Sequence, residues 1–318
     1  MQFYLARMEE ITGYVFRNVY QKMFGDIDRY FTPFITPMQK RVLRTKDRNE
    51  VLPENNAGMH LVPQILTNDA GQFLDLAKRL GMMGYREFNL NLGCPSGTVV
   101  PKGKGAGFLD SPLRLRHFFE EVFAAEEFSG SQLKLSVKTR LGLTDADEFP
   151  DILKIYNQFP LSEVIIHARV RSDYYANHPD LGAFALASEN SVNPVCYNGD
   201  LFTAEDYLEF TRRFPAVDRV MMGRGIVKNP GLVREITTGQ KITREELCRY
   251  EHELWKGYCE AYHDENNAMY KMKEVWFYLK DMYCEPEKVL RKIRKAKKPA
   301  EFRVAADMIL ERQELYGR

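Results

Sequence analysis

Short apolar runs recur along the chain up to residue 222: QFYLA (2–6), YFTPFI (30–35), HLVPQIL (60–66), EFNLNL (87–92), LKLSVKT (133–139), EVIIHA (163–168), PVCYN (194–198) and DRVMM (218–222). Between several of them the apolar positions change to helical spacing, as in DAGQFLDLAKRLGMM (69–83), PLRLRHFFEEVFAAEE (112–127) and TAEDYLEFTRRF (203–214). The last of these opens with Thr203 as a cap and Asp206 in the first turn. Strands alternating with helices pair in parallel, and eight such units predict an α/β protein built as a (β/α)8 TIM barrel. An open dinucleotide-binding sheet fits less well, because no GxGxxG follows the first strand. The segment 36–58 shows little clean periodicity and is the weakest part of the pattern. Beyond about residue 240 the strands stop. Met269, Met272, Trp276 and Leu279 share one helical face there, so a small all-helical C-terminal domain is expected over 239–318, after a barrel over 1–238.

Composition adds limits. The 318 residues are 44% hydrophobic and 28% charged, the balance of a soluble globular protein. No apolar run approaches the ~18 residues of a membrane helix, and MQFYLARMEE lacks the features of a signal peptide, so a cytoplasmic protein is expected. The five cysteines are scattered without a CxxC pair, which argues against a disulfide framework or a zinc site, and no metal is expected. A formal net charge of +1 says little about partners.

Active sites of such barrels lie at the carboxyl ends of the strands. Those ends are unusually polar here: Gln64, Asn91 with Cys94, Lys138 with Arg140, His167 with Arg169, Asn198-Gly199-Asp200, and Gly223-Arg224-Gly225. Any one alone reads as a loop charge or a satisfied core histidine; six strand ends in a row do not. YNGD and MGRG follow the seventh and eighth strands, where barrels commonly hold a phosphate on backbone N–H groups, and together they point to a phosphate-bearing cofactor. Lys138 could stabilise developing negative charge or serve as a Schiff-base amine; the phosphate turns alone do not separate these.

The stretch NLGCPSGTVVPKGKGAG carries Asn91, Gly93, Cys94, Pro95, Gly105 and Ala106. With LARMEEITGYVFR (5–17), VPQI (62–65), VKTRLG (137–142), HAR (167–169), NGD (198–200) and GRG (223–225), the chain resembles the dihydrouridine synthase family across the whole barrel. The resemblance implies FMN as cofactor, NADPH as electron donor, and reduction of the C5=C6 bond of specific uridines in tRNA. It makes Cys94 the acid that protonates C5 after hydride reaches C6; a free thiol, with an ordinary pKa of ~8.5, is mostly protonated near neutrality. Glycines at 97, 103, 105 and 107 suggest a loop that lies open and closes over the base. The resemblance further implies that Gln64, Lys138 and His167 meet the flavin ring, that Asn198, Gly199, Asp200, Gly223 and Arg224 hold its phosphate end, and that Asn91, Arg140 and Arg169 face the substrate. Arg7, Met8 and Glu9 fall at the cofactor-contacting first-strand motif. Arg7 stands there in place of the family's usual proline, and Glu9 and Glu10 where a small residue and glycine are common.

A uridine stacked in folded RNA must be flipped out to reach a flavin, at a cost of a few kcal/mol that backbone contacts offset. PEKVLRKIRKAKK (286–298) carries seven Lys/Arg against one Glu, although 239–318 as a whole holds 17 basic and 15 acidic residues. Lys271, Lys273, Arg291, Lys292, Arg294 and Lys295 are the expected tRNA contacts, in a monomer. The competing readings are an FMN barrel reductase of a free small molecule and a non-catalytic RNA-binding protein on the same scaffold.

Overall fold

The computed structural model describes residues 1–38, 43–130 and 132–316. Its strands among these residues are β1 (Gln2–Leu5), β2 (Arg29–Phe31), β3 (Leu61–Val62), β4 (Gln64–Ile65), β5 (Glu87–Leu92), β6 (Lys134–Arg140), β7 (Glu163–His167), β8 (Val195–Asn198) and β9 (Arg219–Met222). They form one parallel sheet in the order β3-β2-β1-β9-β8-β7-β6-β5-β4. The two ends of that order are halves of one strand interrupted at Pro63, which has no N–H for the ladder. Its carbonyl still accepts from the Asn89 N–H at 3.0 Å, so the sheet closes on itself as an eight-unit barrel.

The helices between the strands are α1 (Tyr14–Met23), α2 (Thr45–Val51), α3 (Ala70–Met82), α4 (Pro112–Ala124), α5 (Glu126–Ser129), α6 (Phe149–Tyr156), α7 (Leu181–Asn190), α8 (Ala204–Arg213), α9 (Arg224–Lys228) and α10 (Leu232–Thr238). The capping expected at Thr203 is present: its hydroxyl accepts from Asp206 N–H at 3.1 Å, and the Asp206 carboxylate answers the Thr203 N–H at 2.9 Å. The helix read over 112–127 is instead two, because Ala125 turns extended between α4 and α5. The aperiodic segment holds α2 and a single turn at Pro53–Asn56; residues 39–42 of it lie outside the described ones. What organises it is polar. The fully buried Arg17 donates to the Thr12 carbonyl (3.1 Å), to Glu50 Oε2 and the Glu50 carbonyl (both 2.9 Å), and to Asn56 Oδ1 (2.8 Å).

Side chains alternate into the barrel, whose interior is filled by Tyr4, Phe31, Val62, Ile165, Cys196 and Met221, with Ala6 on top of them at the base of the open mouth. Below them Tyr4 donates to Glu163 Oε1 at 2.9 Å, and Arg219 reaches the same oxygen at 3.0 Å. Burial pushes the Glu163 carboxyl up, while the Arg29 and Arg219 guanidinium groups oppose it. A plugged floor leaves the open volume at the carboxyl ends of the strands.

Gly239, in the left-handed region at φ 74°, ends α10, and the rest of the chain is helical: α11 (Arg244–Tyr262), α12 (Glu265–Leu279), α13 (Pro286–Lys295) and α14 (Pro299–Arg312). Met269, Met272, Trp276 and Leu279 are all fully buried, as their spacing predicts. The bundle leans on the barrel. Gly257 of α11 lies against Val15 of α1 closely enough that a Cβ there would meet it at 2.9 Å. Lys22 pairs with Glu253 and, at the other end, Lys228 of α9 pairs with Asp281, at 2.8 and 2.7 Å.

Candidate active site

A cavity of about 650 Å3 opens at the carboxyl ends of the strands and runs outward to the end of α12. Its wall brings together Arg7, Met8, Glu9, Gln64, Asn91, Cys94, Lys138, Arg140, His167, Asn198, Gly199, Asp200, Gly223 and Arg224. Residues from seven strand ends thus converge as expected of a barrel mouth.

On the β5 side the polar groups are interlocked. Gln64 donates to Asn89 Oδ1 (2.8 Å) and accepts from Asn91 Nδ2 (2.7 Å), and Asn89 donates to Ser136 Oγ (2.9 Å). Asn91 Oδ1 then accepts the N–H groups of Gly93 and Cys94, at 3.2 and 2.9 Å, which fixes where the Cys94 side chain leaves the backbone. The loop that follows is not the open tether its glycines suggest. Gly105, Ala106 and Gly107 are buried, and the Ala106 N–H returns to the Cys94 carbonyl at 3.1 Å. Gly105, at φ 56°, lies so near that a Cβ would stand 2.8 Å from the Cys94 carbonyl oxygen, so glycine here permits close packing of a cradle around the thiol.

Arg140 closes this cradle from β6. Its three donors go to the carbonyls of Gly93 (3.0 Å), Val170 (2.7 Å) and Tyr174 (2.8 Å). Tyr174 sits in the left-handed region at φ 49°, held there partly by that bond. The role found for Arg140 is therefore to join the Cys94 loop to the loop after β7.

Lys138 is the opposite case. It forms no hydrogen bond or ion pair with a described residue and faces the cavity. Burial, and then the Arg140 guanidinium, pull its ammonium from the ordinary lysine value down to about 7. His167 Nε2 lies 3.1 Å from Arg169 Nη1. A guanidinium can only donate, so Nε2 is the acceptor and the ring proton resides on Nδ1. Burial and the surrounding cations hold His167 well below its usual pKa, so the ring is neutral.

Arg169 is buried behind the wall rather than in it: besides His167 it binds the Asn177 carbonyl and makes a two-pronged pair with Asp200. Asp200 also accepts from Arg224, and so orients two arginines. Arg224 lies over the rings of Tyr175 (4.6 Å) and Phe202 (5.1 Å), its side chain 28% exposed. Gly199 and Gly225 owe their identity to internal packing, since side chains there would run into the Tyr197 hydroxyl and the Leu201 carbonyl. At the first strand, Arg7 is stacked on Phe34 at 3.8 Å and paired with Glu9 at 3.3 Å. Glu10 takes φ 60°, the conformation that favours glycine, and binds Lys46 and Lys271.

The expected RNA contacts divide. Lys271 is spent on the Glu10 carbonyl (2.6 Å) and Glu274 (2.7 Å), and Lys273 on the Ala296 carbonyl, so both fasten the fold. Arg291, Lys292, Arg294 and Lys295 lie along α13 with no ion pair among the described residues. Sequence reasoning missed Tyr174, Tyr175, Phe202, Lys228, Phe277, Tyr278 and Asp281 in the cavity wall. The paired tyrosines after HAR were a visible signal; the residues from α12 were not, since only docking of the bundle brings them to the barrel.

The described residues contain no helix long and apolar enough to cross a membrane and no cluster of side chains suited to a metal. All five cysteines are free. The fold and the placement of the cavity define a (β/α)8-barrel enzyme with its site at the strand carboxyl ends and a helical appendage. Solved structures with the same barrel include 2-naphthoyl-CoA reductase (TM-score 0.58, 9% identity, 75% of this chain and 50% of that one) and morphinone reductase (0.51, 11%, 76% and 87%). Sequence narrows the class. The dihydrouridine synthase family model matches residues 4–314, and the chain belongs to that family. It is 29% identical over 242 residues to tRNA-dihydrouridine(16) synthase of Aquipseudomonas alcaligenes, covering 74% of this chain and 75% of the relative. It is 30% identical over 237 residues to a probable tRNA-dihydrouridine synthase of Staphylococcus epidermidis, covering 72% and 69%.

Proposed function

We propose that the chain is a tRNA-dihydrouridine synthase that binds FMN across the barrel mouth, is reduced by NADPH, and reduces specific uridines of tRNA. The observation that carries this reading is one cavity that sets an unpaired lysine, a neutral histidine and an arginine beside two glycine turns against a thiol held in a fixed cradle. The donor set suits FMN: a cation without a partner and a neutral ring N–H for the flavin edge, and an accessible guanidinium beside the turns after β8 and β9 for the phosphate. Lys138, His167 and Gln64 would contact the ring; Asn198, Gly199, Asp200, Gly223 and Arg224 would hold the phosphate end, with Asp200 orienting Arg224. Arg7, Met8 and Glu9 would border the ring at the first strand.

FMN, when bound there, would supply the hydride that C6 of the uracil takes up. The chain supplies the rest. Cys94 gives its Sγ proton to C5, from a position set by Asn91 and by the packed glycines. Asn91 has one amide N–H left after its bond to Gln64, which would serve a substrate carbonyl. Arg140 and Arg169 act one step back, by holding the cradle and Asp200. The free cations of α13 bind tRNA backbone phosphates, which offsets the cost of flipping the uridine.

Purified protein with flavin absorbance that forms dihydrouridine in unmodified tRNA transcripts only when NADPH is present is the expected result. Protein that retains no added FMN, or retains it and leaves tRNA unchanged, refutes the reading.

A further inference from the structure

The inner face of α12 is completely buried, with Ala268, Met269, Met272, Val275, Trp276 and Leu279 all in the core. Its outer face carries two aromatic rings where polar residues would be better solvated: Tyr270, 60% exposed, and Phe277, 45% exposed. Seven residues apart, they lie on one side of the helix and about 10.5 Å apart along its axis. Each has a cation above its ring: Lys273 at 5.7 Å from Tyr270, and Arg294 of α13 at 5.9 Å from Phe277. Phe277 is also part of the cavity wall, so the stripe starts at the mouth of the site. Beside it runs the α13 face, whose Arg291, Lys292, Arg294 and Lys295 have no carboxylate partner among the described residues.

We propose that Tyr270 and Phe277 are stacking platforms for unpaired bases of the RNA strand that leaves the cavity, with the α13 cations tracking its phosphates. The occupant follows from charge and from continuity. A row of cations with no carboxylate partner among the described residues selects a polyanion, exposed rings beside them select one with flat faces, and the stripe leads out of the site where a base is processed. The rings are too far apart to serve one base, so each takes a different nucleotide flanking the target. This inference rests on the proposed tRNA reading and adds to it a base-stacking surface that tolerates sequence, because every base has such a face.

The test uses the full-length protein and an unmodified tRNA transcript. Tyr270→Ala and Phe277→Ala should each weaken tRNA binding by roughly 5- to 150-fold, the equivalent of ~1–3 kcal/mol per stacked base. The dependence of log Kd on log salt should keep its slope, because removing a stacked ring releases no counterions. Tyr270→Phe and Phe277→Trp, which keep a flat ring, should restore binding, and thermal unfolding checks that the variants are folded. Unchanged affinity in both alanine variants overturns the proposal. So does a concentration-dependent dimer, seen by sedimentation, that disappears with Phe277→Ala while tRNA affinity stays, since the stripe would then meet a second copy. If the wild-type protein itself fails to bind tRNA, it is the tRNA-dihydrouridine synthase reading that fails, a result separable from either of these.

Discussion

Lys138 offers a direct test of the electrostatics of the cavity. In the flavin-free protein its ammonium is held near a pKa of about 7 by burial and by Arg140, whereas in the unfolded chain it returns to the ordinary lysine value of 10.5. The folded pKa is the lower of the two, so between them the unfolded state binds more protons and stability rises with pH. From about pH 7 to about pH 8.5 the unfolded lysine stays charged while the folded one falls from about half charged to a few per cent charged. Integrating that difference with about 1.36 kcal/mol per pH unit gives a gain on the order of 2 kcal/mol from this residue alone. Lys138→Met removes the titrating group and keeps a similar stem. Urea unfolding of flavin-free wild type and variant at both pH values supplies the assay, and taking the difference between the two proteins cancels every other titrating group. The variant should be the more stable at about pH 7, and its advantage should shrink by roughly 2 kcal/mol at about pH 8.5. A difference between the proteins that does not change with pH would show that Lys138 is charged and solvated in the empty site, and would refute the assignment of a desolvated, unpartnered amine. Adding FMN should abolish the pH slope, as a ligand that accepts from Lys138 restores its proton.

Further outcomes follow from the cavity wall. Cys94→Ala should retain FMN and its reduction by NADPH but form dihydrouridine at least ~100-fold more slowly, as measured in single-turnover assays on unmodified tRNA. Arg224→Ala should weaken FMN binding by ~10-fold or more, the scale of removing a charge-assisted bond to phosphate, read by flavin fluorescence. Replacing Arg291, Lys292, Arg294 and Lys295 together by Ala should raise the KM for tRNA and flatten the salt dependence of binding by ~0.9 for each phosphate no longer neutralised; an unchanged slope would mark the α13 face as merely solvated.

The barrel was legible because its strands and helices repeat with local periods, and a period survives in one dimension. The eight apolar runs and the buried face of Met269, Met272, Trp276 and Leu279 mark their elements without reference to distant residues. So was the set of polar strand ends, because parallel strands all finish at one mouth and their last residues must meet. Pairings between residues far apart in sequence were beyond its reach. Nothing local links Arg17 to Glu50, which organise the aperiodic segment, or spends Lys271 on Glu10 rather than on a ligand. Glycines after Cys94 read as freedom, yet packing turned them into close contact, because a missing Cβ permits either and only the neighbour decides. Arg140 and Arg169 look in sequence like Lys138: cations at strand ends. Tertiary structure alone gave the first two their carbonyl and carboxylate partners and left Lys138 with none among the described residues, and a half-buried cation without a partner is the one whose charge a ligand must satisfy.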